Sequence, residues 1–308
     1  MSRRPNRSQL SWALYDWANS AFATTVIAGF FPLFFKQYWS GDAAATTSTF
    51  WLGAGNSAAS FAIVLAAPLL GALADTGALH KRLLGSFALL GIGATGGLYL
   101  VGQGDWPWAL TLYIVAILGF SGANVFYDAM LPALAPREAR HRISALGYSL
   151  GYLGGGLLFL VNVAMTLQPA WFGLADATEA VRVSFLTVAA WWALFSVPLL
   201  VGVSERLPGS PGGASLAGSF RRLRETLGRV REHPNLWLFL LAYWFYIDGV
   251  ATIIRMAVDY GLAIGLPSES LITALLLVQF VGFPATLAFG RIGTRLGAKR
   301  GLWIGLWV

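Results

Sequence analysis

Eight stretches of the chain stay apolar over the length of a bilayer crossing: about residues 11 to 35, 51 to 73, 83 to 102, 107 to 133, 143 to 167, 182 to 203, 236 to 259 and 269 to 290. A ninth begins at Gly301 and stops at Val308. About 20 apolar residues in a helix cross the ~30 Å hydrocarbon core, so the fold class expected is an all-α polytopic membrane protein. The composition agrees, with 11% charged residues and a mean hydropathy of +0.64, where soluble domains carry about 25% charged residues. The first window is too long for a signal-peptide core and has no small-residue cleavage site, so it reads as a retained first membrane helix. It also carries Asp16, Asn19 and Ser20 near its start. A carboxylate inside a membrane helix is costly and usually faces a bundle interior or a wet cavity.

The basic residues fix an orientation. They gather in the N-terminus (Arg3, Arg4, Arg7) and after the even windows: Lys81 and Arg82; Arg137, Arg140 and Arg142; Arg206, Arg221, Arg222, Arg224, Arg229 and Arg231; Arg291, Arg295, Lys299 and Arg300. Only Lys36, Arg182 and Arg255 lie elsewhere, while the opposite loops hold Asp42, Asp105, Asp176, Glu179, Asp259 and Glu269. The positive-inside rule then places the N-terminus and the even loops in the cytoplasm. The net charge of +7 is thereby a topology signal, and no nucleic-acid partner is expected.

The longest polar interval, residues 204 to 235, opens as a Gly/Pro/Ser linker and continues with Phe220, Leu223, Leu227 and Val230 at helical spacing among arginines. Two readings stand: a basic amphipathic helix lying on anionic lipid, or a solvated linker helix. Either one divides the chain into a six-helix bundle at 1–203, a central cytoplasmic loop at 204–235 and the start of a second bundle at 236–308.

Several chemistries find no support. The chain has no Cys, so disulfides and thiolate sites are excluded. His80, His141 and His233 fall in predicted polar loops, and neither a metal nor another cofactor is expected. Gly91, Gly93 and Gly96 match GxGxxG but lie inside the third window with no strand before them, which suits close helix approach better than a dinucleotide. Gly147, Gly151 and Gly155 form a comparable seam along the fifth window, one that also suits rocking between helices. P-loop, HExxH and GxSxG patterns are absent from the sequence.

An internal repeat is visible. GALADTGALHKR follows the second window, with Gly71, Asp75, Gly77, Lys81 and Arg82; GRIGTRLGAKR follows the eighth, with Gly290, Arg295, Gly297, Lys299 and Arg300. Two related loops six windows apart are what a duplicated six-helix unit produces. The pair resembles the loop signature of the major facilitator superfamily, although Thr76 replaces the basic residue in the first copy and Thr294 the acid in the second. The segments beginning at Ser11 (SWALYDWANSAF), Asn124 (NVFYDAMLPALAP), Arg142 (RISALGYSLGYLGGG) and Leu241 (LAYWFYIDGVATIIRMA) resemble the bacterial unknown-major-facilitator family, which is similar to the fungal autophagy-related vacuolar amino-acid effluxer.

That resemblance implies a major facilitator fold with a complete N-terminal six-helix bundle and a C-terminal bundle truncated in the ninth span, so a fragment or a truncated product is expected. It also implies a secondary active transporter in a bacterial cytoplasmic membrane, not an enzyme, moving a small solute by alternating access, with an amino acid or related metabolite as solute and protons as coupling ion. The rivals are a polytopic membrane enzyme and a truncated, non-transporting membrane protein.

In that fold spans one, four and seven line the cavity, and each holds an acid just behind a tyrosine: Tyr15 and Asp16, Tyr127 and Asp128, Tyr246 and Asp248. Asp16 and Asp128 reach a similar depth from opposite chain directions and are expected as structural or gating groups, with Arg142 as a partner. Asp248 lies near the midplane and shares a helical face with Thr252 and Arg255. Two roles stand for it: a coupling or substrate residue, or half of a static pair with Arg255. Asn19, Asn124, Tyr148 and Tyr152 add polar surface to the same helices, while Asn162 and Gln279 are assigned to packing.

Overall fold

The computed structural model describes residues 5–41, 43–77, 79–204, 218, 221, 224–225, 228–230 and 232–307. Among them every regular element is helical, and eight helices are long and apolar enough to cross a membrane. They are α1 (Arg7–Trp39), α2 (Ala45–Gly77), α3 (His80–Gly97), α4 (Trp106–Leu134), α5 (Arg137–Leu167), α6 (Ala177–Gly202), α7 (Pro234–Ala263) and α8 (Ser268–Leu296). A short α9 (Ala298–Trp307) follows. The chain is an all-α, multi-pass membrane protein.

The first helix starts on a capping box: Asn6 Oδ1 accepts from the Gln9 backbone N–H at 2.8 Å, and Gln9 Oε1 accepts from Asn6 N–H at 3.1 Å. These bonds satisfy N–H groups that a helix start leaves open. Gln9 also donates through Nε2 to the Leu134 carbonyl at 3.0 Å, tying the start of α1 to the end of α4. Ser8 Oγ donates to the Gly202 carbonyl at 3.1 Å and Lys81 Nζ to the Val203 carbonyl at 3.1 Å. The even loops and the N-terminus therefore meet at one end of the bundle, as the charge pattern requires. At the far end Arg182 donates to the Tyr99 carbonyl at 2.7 and 3.1 Å, and Gly104 N–H donates to the Tyr38 carbonyl at 3.3 Å.

Helix α1 is the axis of the molecule: 89% of its apolar window is buried, against 0% for α7. It packs on α5 and α6, while α3 lies along α4 and α8 runs against α5. Aromatic rings fill its flanks. Phe31 stacks on Tyr113 at 3.8 Å, Phe22 on Trp192 at 5.4 Å and Trp39 on Phe185 at 5.8 Å. From Phe22 to Phe30, and again from Phe35 to Trp39, α1 widens into π-helix. Such widening is rare and occurs mostly as single-turn bulges at functional positions. No residue in the sequence announces it.

The glycine of α3 does what its spacing suggests. A Cβ at Gly91 would lie 2.5 Å from the Trp192 ring, and one at Gly119 would run into the backbone of Gly91 itself, so α3 and α4 cross in backbone contact. Loop expectations need correcting at His80, His141 and Asp259. His80 is the first residue of α3 and is buried, and His141 lies in the second turn of α5. Asp259 is not in a loop: it lies inside α7, 1% exposed, because the helix runs one turn past the apolar window to Ala263 and meets a lysine there. The amphipathic helix expected around Phe220 falls largely outside the described residues; within them Glu225 faces Arg221 at 3.8 Å and Arg229 at 4.0 Å.

Candidate functional site

A cavity of about 480 Å³ lies between the first bundle and the α7–α8 pair. Helix α1 gives it Trp12, Asp16, Asn19, Ser20 and Thr24; α4 gives Asn124, Tyr127, Asp128 and Leu131; α5 gives Ser144, Tyr148, Gly151 and Tyr152. Ala23 and Ala28 of α1 and Phe120 of α4 continue these walls, and the opposite side is Ile253, Ile254 and Ala257 of α7 with Leu275, Val278 and Gln279 of α8. Six of the eight transport residues expected from sequence thus share one space: Asp16, Asn19, Asn124, Asp128, Tyr148 and Tyr152. Among the described residues, no Lys, Arg or His lines it.

The acids occupy different settings. Asp16 is half-buried, and its Oδ1 accepts from Ser20 Oγ at 3.3 Å. Its place is cut out of α5: a Cβ at Gly151 would lie 2.5 Å from Ser20 Oγ and 3.2 Å from Asp16 Oδ1, and one at Gly147 3.2 Å from Asp16 Oδ2. The glycine seam of the fifth span is therefore the floor on which the carboxylate rests. Asp128 is exposed to the cavity and near enough to Asp16 for the two to interact electrostatically. Tyr127 lies between them, with its ring stacked on Trp12 at 4.2 Å and 4° and its carbonyl accepting from Trp12 Nε1 at 2.9 Å. The Tyr127 hydroxyl is buried beside Asp16, placed to interact with its carboxylate. Asn19 Nδ2 donates to Asn124 Oδ1 at 2.7 Å, joining α1 to α4 one turn deeper.

The seventh span departs from expectation. Apart from Leu241, residues 232–249 of α7 and its approach are exposed, and Asp248 lies on this stretch, outside the cavity wall. It does not pair with Arg255. Seven residues of helix separate the two by about 10 Å of rise, and the Arg255 guanidinium instead donates to Ser60 Oγ of α2 at 2.6 Å. Arg142 is likewise not part of the cavity wall. Of the two residues assigned to packing, Asn162 accepts from Thr187 Oγ1 at 2.9 Å, joining α5 to α6, whereas Gln279 faces the cavity. Its position in the middle of an apolar stretch, twelve residues before Arg291, gives no sign of that.

A model of the family described as vacuole effluxer Atg22 like matches residues 4–307. The chain belongs to this Atg22-like family. The Atg22-like chain is 37% identical over 308 residues to the uncharacterized MFS-type transporter YxiO of Bacillus subtilis, an alignment covering 99% of this chain and 72% of that protein. It is 27% identical over 196 residues to autophagy-related protein 22 of Cryptococcus neoformans, covering 61% of this chain and 34% of the fungal one. To autophagy-related protein 22-1 of Penicillium rubens it is 28% identical over 133 residues, 39% of this chain and 21% of that protein.

In this Atg22-like chain the repeated loops lie at the N-terminal end of the bundle. Gly71 lies in the last two turns of α2, and Arg82 is engaged by neighbouring groups. Gly290 abuts Ala145 of α5, where a Cβ would come within 2.5 Å. Gly297 turns the chain between α8 and α9 with φ +78°, a left-handed conformation that glycine adopts without steric cost. Arg300 is exposed. The side chains of Asp75, Arg295 and Lys299, and the surroundings of Gly77, lie outside what the structure describes.

A second polar cluster, unforeseen in the sequence, closes the far end. Lys36 Nζ lies 2.8 Å from Asp259 Oδ1 and donates to Thr49 Oγ1 at 3.2 Å; Thr49 Oγ1 donates to Asp259 Oδ2 at 2.7 Å. Beside it Gln37 Nε2 donates to Ser268 Oγ at 3.4 Å. The signal was present in one respect: Lys36 is one of three basic residues that the loop pattern leaves unassigned.

Proposed function

We propose that this chain is a secondary carrier that moves a small solute across a membrane by alternating access, and is not an enzyme. The observation that carries the reading is the cavity's shape. It is framed by α1, α4 and α5 on one side and by α7 and α8 on the other. The Lys36–Asp259 cluster bolts the two sides together at the far end, and at the N-terminal end α7 stands clear. Asymmetric closure of a central site between two helical bodies is the geometry that rocking carriers require. The transporter names borne by YxiO and the effluxer description of the family support it.

Within this reading the N-terminus, the even loops and the open mouth face the cytoplasm of a bacterial cell, and the chain divides at 203 and 235 into bundle, cytoplasmic loop and second bundle. Asp16 and Asp128 are the coupling or solute-binding groups, framed by Asn19, Asn124, Tyr148 and Tyr152. The solute is an amino acid or related metabolite, and protons drive it. Lipid surrounds the helices. Counterflow in proteoliposomes tests the carrier: vesicles preloaded with an unlabelled amino-acid mixture take up labelled counterparts saturably only when the protein is present. Flux equal to that of protein-free vesicles across the whole mixture and its amine derivatives counts against it.

A further inference from the structure

We infer that the cavity selects a positively charged amine headgroup, and that this amine and the proton occupy the same two carboxylates in turn. The inference rests on the carrier reading and names the solute class. Asp16 and Asp128 face one space that no basic side chain enters among the described residues. A carboxylate drawn out of bulk water needs either a positive partner or a proton. Here the described residues supply no positive partner, which leaves the guest or the solvent to do so.

Three further features favour an organic amine over a bare metal cation. The Tyr127 hydroxyl, on a residue only 5% exposed, borders the same space beside Asp16; with its O–H turned to that carboxylate it keeps a lone pair for an N–H donor. The aromatic surface is a second: Tyr148 of α5 is 58% exposed, which leaves its ring face free for a cation. The opposing wall of Ile253, Ile254 and Leu275 offers an apolar surface to a hydrocarbon or aromatic tail. An anion finds the reverse, since only side-chain amides and hydroxyls could receive it, and Asn19 and Asn124 already bond each other.

Protons compete for the same oxygens. The titratable groups facing the pair are Tyr15 from α1, Tyr127 from α4 and Tyr148 and Tyr152 from α5; α7 adds Tyr243, which interacts with Tyr148, and α8 adds none, its Gln279 being neutral. Tyrosine ordinarily titrates at about 10 and aspartate at about 4, so Asp16 and Asp128 are the groups among these that take up a proton as the pH falls below neutrality. Lowering the pH therefore weakens amine binding.

Isothermal titration of the purified full chain in detergent tests this with three matched probes, tyramine, tyrosine and 3-(4-hydroxyphenyl)propionate, at pH 7.5, and with tyramine again at pH 4.5. Tyramine is expected to bind most tightly and the propionate least, with tyramine affinity falling at the lower pH. Asp16→Asn and Asp128→Asn should each weaken tyramine by about tenfold or more, the worth of a hydrogen bond to a charged group, and Asp128→Glu should restore part of it. The ranking of probes on the unmodified chain needs no variant to fold. Propionate binding as tight as tyramine binding, no saturable tyramine binding, or equal affinity at both pH values overturns the proposal. Counterflow with the same probes separates the two readings. Tyramine binding without counterflow keeps the amine site and removes the carrier, whereas counterflow of propionate alone keeps the carrier and removes the amine.

Discussion

At the scale of single residues, glycines and acids behave according to what faces them and not according to their motif. Gly93 of the GxGxxG match meets open space, while Gly119, which belongs to no motif, meets the backbone of Gly91. Gly119→Ala is therefore expected to destabilise by about 1–3 kcal/mol, the usual cost of overpacking, and Gly93→Ala to be neutral or mildly stabilising because alanine is the better helix former. Thermal unfolding in detergent compares the two, and equal melting temperatures would remove the close α3–α4 crossing. The acids divide in the same way. Asp248→Asn should leave tyramine binding unchanged, since that side chain is exposed outside the cavity, whereas the same exchange at Asp16 should reduce it. A loss at Asp248 equal to that at Asp16 would put the seventh helix back at the centre of the site.

At the scale of elements, the bond between α1 and α7 holds the far end shut. Lys36 and Asp259 are 12% and 1% exposed, and removing one partner of so buried a pair strands the other charge at about 3–5 kcal/mol. Asp259→Asn is expected to loosen the closed far end. The sequence has no Cys, so a single Ala28→Cys placed at the deep end of the cavity is a clean reporter. In the Asp259→Asn background it should react several-fold faster with a membrane-impermeant thiol reagent added from the far side. An unchanged rate would mean that aromatic packing around Trp39 closes that end without help from the ion pair.

At the scale of the whole molecule, the periodic apolar windows and the alternation of basic loops were enough to read eight crossings and the gathering of the N-terminus with the even loops. Those signals are strong because each crossing needs a long run of apolar residues and each anchoring loop several charges. What escaped reading depended on rotation and length. Helix α7 outruns its apolar window by a turn and so carries Asp259 into the protein. Gln279 sits on an apolar helix whose turn toward the cavity is set by packing on α5. Asp248 looked central because it is intramembrane, yet which side of a helix is covered depends on neighbours far away in sequence. Topology itself remains open to a direct check: in intact cells, Gln103→Cys should react with an impermeant reagent added outside, and Arg137→Cys only after permeabilisation. The opposite pattern would invert the charge-based orientation.

The floor beneath Asp16 suggests how this cavity could be retuned. Because Gly151 borders the cavity and meets Ser20 and Asp16 from another helix, a methyl group added there would trim the chamber and shift Ser20 while leaving the formal charge untouched. Room and formal charge thus come from different helices, the former set at Gly151 of α5 and the latter at α1 and α4. A breeder of altered specificity would keep the acids and draw a library from Gly151.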